Sequence, residues 1–442
     1  MLRLAGPIVL SELGWMSMGL VDTMMVGRVS PEAMGAVSIG GMLFYTIAIT
    51  GLGLLLGLDT LVSQAFGAGD IADCHRSLLS GIYMSVLLSP VLMGIVWLSI
   101  PFLRAFGINP AVLRDTMPYI DAIVWSTLPL LLFFALRRYL QGMNLVKPVM
   151  LALVTANFVN LAGNWVLVYG NFGAPAMGAA GSGWATCVSR IYMTAALLAY
   201  VIRHDRQYRG GLMKTSWLPD AARIGLLFRL GMPAGLQLFF EISVFAAVTA
   251  LIGRLDAASL GGHQIALNLA SLAYMVPLGI GSAAAVRVGQ ALGRGEPKAA
   301  ARSGWIALLL GAGFMSLAAF TFLIAPRLIA RVFATDPAVI KMGAALLMVA
   351  AVFELFDGIQ TVVTGALRGA GDTRTPMICH LVCYWLLGLP LGYFLAFRLG
   401  WGAVGLWAGL CAALIVIGVI LLIAWYRKAR TWTESPSRGG RT

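Results

Sequence analysis

Glu241 stands at the centre of an unbroken apolar run between Arg229 and Arg254, twelve residues from one arginine and thirteen from the other. At about 1.5 Å rise per residue, a helix over this run places the carboxylate roughly 18 Å from either end, near the midplane of a bilayer. Asp22 occupies a similar run closed by Arg28, and Glu354 and Asp357 lie between Lys341 and Arg368. An acid at that depth costs on the order of 2.5 to 3.5 kcal/mol even on a lenient insertion scale, so such groups face a cavity or a partner and mark an ion or substrate path. A carboxyl group in a low dielectric favours its neutral form, so it binds a proton at rest and yields it to a competing cation. Sodium, a hard cation, instead needs several oxygen ligands. Glu241 and Asp357 would supply them together with the amides of Gln264 and Asn268, which are four residues apart and share a helix face.

The other acids read differently. Glu12 and Glu354 are expected to be structural rather than coupling groups, although Glu354 is kept with the candidate site because extra negative charge there would alter ion stoichiometry or preference. Asp59, Asp115 and Asp121 fall near span ends, where snorkelling or capping explains an acid. Asp372, in GAGDTRTP, reads as a turn or cap residue before Pro376. His75 and His204 fall in loops and His263 and His380 flank spans, with no metal-ligand spacing among them.

The elements that position these groups follow from composition. The chain has 442 residues, 60% of them hydrophobic and 11% charged, and a mean hydropathy of +0.87. Its solvent is mostly lipid. Apolar runs near 5–27, 33–59, 78–103, 117–141, 146–168, 180–202, 225–252, 258–285, 301–325, 341–367, 375–399 and 402–425 predict twelve membrane helices. The first run begins almost at Met1 and is too long for a signal-peptide core, so it is expected to stay as the first span. With span-end residues assigned to their nearer side, one face holds 22 Lys and Arg, against 8 on the other. The positive-inside rule then puts both termini in the cytoplasm. The net charge of +13 is spread between apolar runs, so it reports topology rather than nucleic-acid binding.

The sequence also repeats. LAGP at Pro7 matches LGMP at Pro233, Gly27 and Arg28 match Gly253 and Arg254, and SQAFGAGD ending at Asp70 matches GQALGRGE ending at Glu296, all at a shift of 226. An even number of spans per copy makes the copies parallel, giving two six-helix lobes related by a pseudo-two-fold axis along the membrane normal. The expected division is a first lobe over 1–202, a cytoplasmic linker over 203–224 carrying Arg203, Arg206, Arg209, Lys214 and Arg223, a second lobe over 225–426, and a cytoplasmic tail over 427–442. Pro7 and Pro233 stand at matching points of spans one and seven and are expected to loosen both.

GLVDTMMVGRVS around Asp22, NWVLVYGNFGAP from Asn164, LFFEISVFA around Glu241, GGHQIALN from Gly261, VPLGIGSAAAVRVGQALG from Val276 and ALRG from Ala366 together resemble the multidrug and toxic compound extrusion (MATE) transporters, in particular their NorM-like branch. The resemblance implies an all-α membrane protein of twelve helices in two lobes. It further implies alternating access and export of cationic drugs and dyes in exchange for Na+ or H+. It places the coupling acids at Asp22, Glu241 and Asp357, with Asn160 and Asn164 of the fifth span beside Asp22. Two departures stand out: Phe353 where the pattern has tyrosine, and Glu354 where it has an uncharged residue. A bacterial inner-membrane location, cationic small-molecule cargo, lipid as the surrounding partner and a working monomer are the matching expectations, with no cofactor beyond the coupling ion.

A lipid-linked precursor flippase of the same superfamily is the alternative. It would want cationic side chains in its cavity, whereas the intramembrane charges here are mostly acidic, Arg190 being the main exception. ATP-driven pumping is disfavoured because no G-x-x-x-x-G-K-[ST] run occurs. No nucleophile-and-base pair or metal cluster at membrane depth argues for an enzyme.

Overall fold

The computed structural model describes residues 1–105, 109–208 and 210–434, and among them the chain is helical throughout, without strands. Two compact units emerge, one over Leu10–Gly235 and the other joining Met1–Val9 to the residues from Leu236 onward. The first is built mainly from α1 (Leu2–Val26), α2 (Pro31–Leu55), α3 (Gly57–Gly67), α4 (Ile71–Ala105), α5 (Pro110–Val124), α6 (Thr127–Gly142), α7 (Val146–Leu167) and α8 (Gly178–Tyr208). The second holds most of α9 (Ala221–Ile252), then α10 (Ala257–Gly293), α11 (Pro297–Ile324), α12 (Pro326–Phe333), α13 (Pro337–Gly369), α14 (Arg374–His380), α15 (Leu389–Tyr393) and α16 (Gly402–Glu434).

Among the described residues eleven helices are long and apolar enough to cross a membrane, and the twelfth span is recovered only by counting α5 and α6 as one. That fourth span is broken, with a 47° bend between Val124 and Thr127. In the bend the hydroxyls of Ser126 and Thr127 donate back to the carbonyls of Ile123 and Val124, which satisfies backbone oxygens that a straight helix would have bonded itself. The eleventh span departs from α geometry as well: π-helical turns at Leu381–Gly388 and Phe394–Arg398 flank the short α15. Short π segments mark functional sites in many helices, and this one starts immediately after His380.

The linker is shorter than expected. α8 runs through Tyr208, so Arg203 and Arg206 are helical, and Arg223 lies in the first turn of α9, leaving 210–220 as irregular chain with a single 3-10 turn at Leu212–Lys214. Arg209 lies outside the described residues. The segment is tied down: Asp205 Oδ1 accepts from Leu212 N at 2.9 Å, Arg223 pairs with Asp73, and the Tyr83 hydroxyl donates to the Trp217 carbonyl. The tail expectation is also modified, because α16 continues to Glu434; 435–442 lie outside the described residues. At the start of α10 the Asp256 carboxylate caps Ser259 N at 2.8 Å, and the Ser259 N–H and hydroxyl hold its carboxyl below the usual range.

The helices that carry Pro7 and Pro233 both change unit just past the proline, α1 after Val9 and α9 after Gly235. The contacts they make there are related by the repeat. A Cβ on Gly53 would lie 2.1 Å from Gly235 Cα, and one on Gly279 would lie 2.6 Å from the Val9 side chain. Gly279 is Gly53 shifted by 226, and Gly235 is Val9 shifted by the same amount. Each copy of the repeat therefore receives the opening turns of the other copy's first helix on the same glycine.

Within the second unit α13 packs on α10, α11 and α16. The α10 crossing brings backbones together, so that a Cβ on Gly365 would stand 2.1 Å from the Gly281 carbonyl oxygen. A backbone atom cannot rotate away, so Gly365→Val is expected to cost about 3 kcal/mol, the upper end of the usual overpacking range, through forced separation of the helices. The readout is the apparent melting temperature in detergent. Gly313→Ala serves as the control, because an added Cβ there meets nothing within 4 Å, and equal melting of both variants would contradict the packing argument.

Candidate functional site

In the first unit Asp22 of α1 is 7% exposed and receives three neutral donors. Asn164 Nδ2 and Asn160 Nδ2 donate to Oδ1 at 2.7 and 3.0 Å, and Thr186 Oγ1 of α8 donates to Oδ2 at 2.7 Å. The asparagines reach one carboxylate because four residues on α7 return to the same face. Asn160 and Asn164 are fully buried, and their Oδ1 atoms have no hydrogen-bond partner among the described residues. Both asparagines thus present their NH2 groups, not their oxygens, to the carboxylate.

Arg190, one turn beyond Thr186, is also fully buried. Its guanidinium donates to Ser126 Oγ and, at 2.7 Å, to the Tyr45 hydroxyl, and lies 5.0 Å from the Phe44 ring centroid. Its hydrogen bonds and cation-π contact hold it against α2 and the bend before α6, rather than on the Asp22 carboxylate.

In the second unit Glu241 of α9 and Asp357 of α13 share a cluster. Gln237, four residues before Glu241 on the same helix, donates to its Oε2 at 2.9 Å, and Tyr274 of α10 adds a hydroxyl. Gln360 Nε2 donates to Asp357 Oδ1 at 3.0 Å and approaches Glu241 Oε1 at 3.4 Å. His380 lies between the two amides: Gln237 Nε2 is 3.2 Å from Nδ1, and Gln360 Oε1 is 3.0 Å from Nε2. Its Nδ1 is 3.6 Å from Glu241 Oε2.

Gln264 and Asn268 are not part of this cluster. Both are exposed, on the face of α10 opposite buried His263, Ile265 and Ala266, and neither hydrogen-bonds to Glu241 or Asp357. The amides beside the carboxylates are instead Gln237 and Gln360, which present NH2 groups to them rather than oxygens. The reading of His263 and His380 as span-flanking residues is likewise corrected, since both are fully buried. His263 accepts from Trp407 Nε1 at 3.0 Å and meets Thr249 Oγ1 at 2.8 Å. Phe353 packs in that aromatic layer, 5.6 Å from the Trp407 ring, so the hydroxyl of a tyrosine there is replaced by apolar contact. Glu354 is fully buried, yet both its oxygens lack a hydrogen-bond partner among the described residues. It adjoins the cluster in sequence without joining its bonds.

The remaining buried acids have basic partners. Glu12 of α1 pairs with Arg137 of α6, both buried. Asp59, expected to snorkel, is 1% exposed and 3.5 Å from Arg138. Asp372 behaves as the turn residue expected, accepting from Thr375 N at 3.2 Å and facing Lys428 at 3.5 Å. Among the described residues no group of three or more His, Cys, Asp or Glu could hold a metal ion.

Apolar helices of spanning length in two repeated units, each with buried acids inside its spans, define a polytopic helical membrane protein. The MatE family model matches residues 7–166 and 233–394, two segments whose starts are separated by the 226 residues of the internal repeat. The chain belongs to the MatE family. It is 37% identical to the "Probable multidrug resistance protein NorM" of Mesorhizobium japonicum, covering 97% of this chain and 93% of that protein. It is 34% identical to the "Multidrug resistance protein PmpM" of Pseudomonas aeruginosa, covering 99% and 93%. In fold it is similar to the eukaryotic MATE transporter AtDTX14, with a TM-score of 0.86 at 23% identity over 98% of this chain and 97% of that one. A MATE family transporter in an outward-facing conformation gives 0.87 at 17% identity, covering 98% and 96%.

Proposed function

We propose that this protein is a secondary active exporter of organic cations, including drugs and dyes, which exchanges cargo for Na+ or H+ by alternating access. The observation that carries the reading is the kind of partner each buried acid keeps. Glu12 and Asp59 lie against arginines, whereas Asp22, Glu241 and Asp357 are held by amides and hydroxyls, with no salt bridge to Lys or Arg among the described residues. A carboxylate without such a salt bridge in the membrane core is neutralised by whichever cation arrives, and cargo and coupling ion then exclude one another. The names of the NorM and PmpM relatives support drugs as cargo. A lipid-linked anionic cargo is less well served, because Arg137, Arg138 and Arg190 already have partners of their own.

The bacterial relatives and the excess of Lys and Arg on one side support an inner-membrane protein with both ends in the cytoplasm. Two self-contained lobes suffice for a monomer to work.

Purified protein in vesicles, loaded with a cationic dye and given imposed Na+ or H+ gradients, tests cargo class and coupling together. Dye movement that follows at least one gradient and collapses with it is the expected result. Indifference to both gradients would remove the proposal, and movement of a lipid-linked anion in its place would establish the flippase reading.

A further inference from the structure

We infer that His380 is the positioning residue of the coupling site in the second unit: it fixes the sense of both glutamine amides so that their NH2 groups face Glu241 and Asp357. The inference rests on the proposed cation-coupled transport and names a residue beyond its carboxylates.

The argument is one of donors and acceptors. Gln237 Nε2 serves Glu241 Oε2 at 2.9 Å and His380 Nδ1 at 3.2 Å, so with an ionised Glu241 the ring nitrogen Nδ1 is the acceptor. The ring proton is then on Nε2, which donates to Gln360 Oε1 at 3.0 Å. With its oxygen so engaged, Gln360 must turn Nε2 the other way, towards Asp357 Oδ1 at 3.0 Å and Glu241 Oε1 at 3.4 Å. One neutral imidazole thus sets two amides, and two amides serve two carboxylates. The ring is itself held in place, fully buried and edge-on to Tyr384 with centroids 5.4 Å apart, at the junction where the eleventh span passes into π geometry. Besides His380, the titratable groups around the cluster are Glu241 on α9, Tyr274 on α10, Asp357 and Glu354 on α13, and Tyr384 on the same span.

The consequence for transport concerns release. Oriented NH2 donors stabilise the carboxylates once the cation has gone, so they weaken the hold on the coupling ion and hasten its departure. Without the imidazole each amide is free to turn over and present its oxygen, which is a cation ligand rather than a competitor.

The test uses the full-length protein in vesicles, with dye transport measured against graded Na+ at fixed pH and against graded pH without Na+. His380→Phe keeps ring volume but has no nitrogens. It is expected to lower the half-saturating concentration of the driving cation about tenfold, the worth of an oriented hydrogen bond to a charged group. Maximal rate should fall and the half-saturating dye concentration stay within about twofold. His380→Gln, which offers one acceptor and one donor, should restore the half-saturating ion concentration to within about threefold of the original. Gln237→Met opens the same circuit at its other end and should reproduce the phenylalanine result if that variant does not fold. A reduced maximal rate with unchanged half-saturating ion concentration in both His380→Phe and Gln237→Met would overturn the inference. Absence of gradient-driven dye movement in the unaltered protein would instead overturn the transport reading on which it rests.

Discussion

Exchanging Glu241 for glutamine is expected to reduce gradient-driven dye efflux by up to about a hundredfold, because a coupling free energy of a few kcal/mol corresponds to roughly 5- to 150-fold. The amide occupies nearly the same volume and its oxygen still accepts from one of the two NH2 groups of Gln237 and Gln360, so the helices keep their packing. What disappears is the change of charge. Glu241→Asp keeps the charge on a side chain one methylene shorter and should preserve a measurable fraction of the rate. Asp22→Asn and Asp357→Asn should fall with Glu241→Gln, since each acid has neutral donors in place of a basic partner. Dye efflux from vesicles under imposed gradients is the measurement, with melting temperature as the check on folding. A Glu241→Gln protein that still follows the gradient would show that Glu241 carries no coupling charge.

The second large effect falls on an acid with a different task. Arg137→Met would leave the Glu12 carboxylate buried without its ion-pair partner, and removal of one member of a buried pair costs about 3–5 kcal/mol. Glu12 is 6% exposed and Arg137 1%, so water cannot take over. A sharp fall in apparent melting temperature and in yield of monodisperse protein is expected. The double replacement Glu12→Gln with Arg137→Met should recover most of the loss, because it removes both charges together. A single variant as stable as the original would mean that the pair contributes nothing to the fold.

The acids were legible in the sequence because charge inside a long apolar run is rare, and the repeat because three landmarks keep one shift. Asn160 and Asn164 were legible through the family pattern, and their spacing placed them on one face. The same spacing misled at Gln264 and Asn268: period says which residues share a face and is silent on where the face points. Gln237 precedes Glu241 by the same four residues and was available to that reasoning, but an amide in an apolar run draws less notice than an acid. His380 was hidden by Arg374, whose charge suggests an aqueous boundary, although the α-helix Arg374–His380 carries the chain into the core before the π segment begins at Leu381. The bend after Val124 was hidden too, since the residues around it are apolar on both sides and hydroxyls back-bonding to a carbonyl have no clear sequence signature.

The scaffold repeats at 226 residues, whereas the polar clusters do not. Under that shift Asp22 falls on Val248, Asn160 on Leu386 and Asn164 on Pro390, while Glu241 falls back on Trp15, Asp357 on Leu131 and His380 on Val154. Each half therefore carries a polar cluster of its own, and a substitution in one has no counterpart at the matching position of the other. Swapping a whole half between relatives should carry one centre across intact, which makes hybrid proteins a direct way to ask which half sets the choice of driving ion.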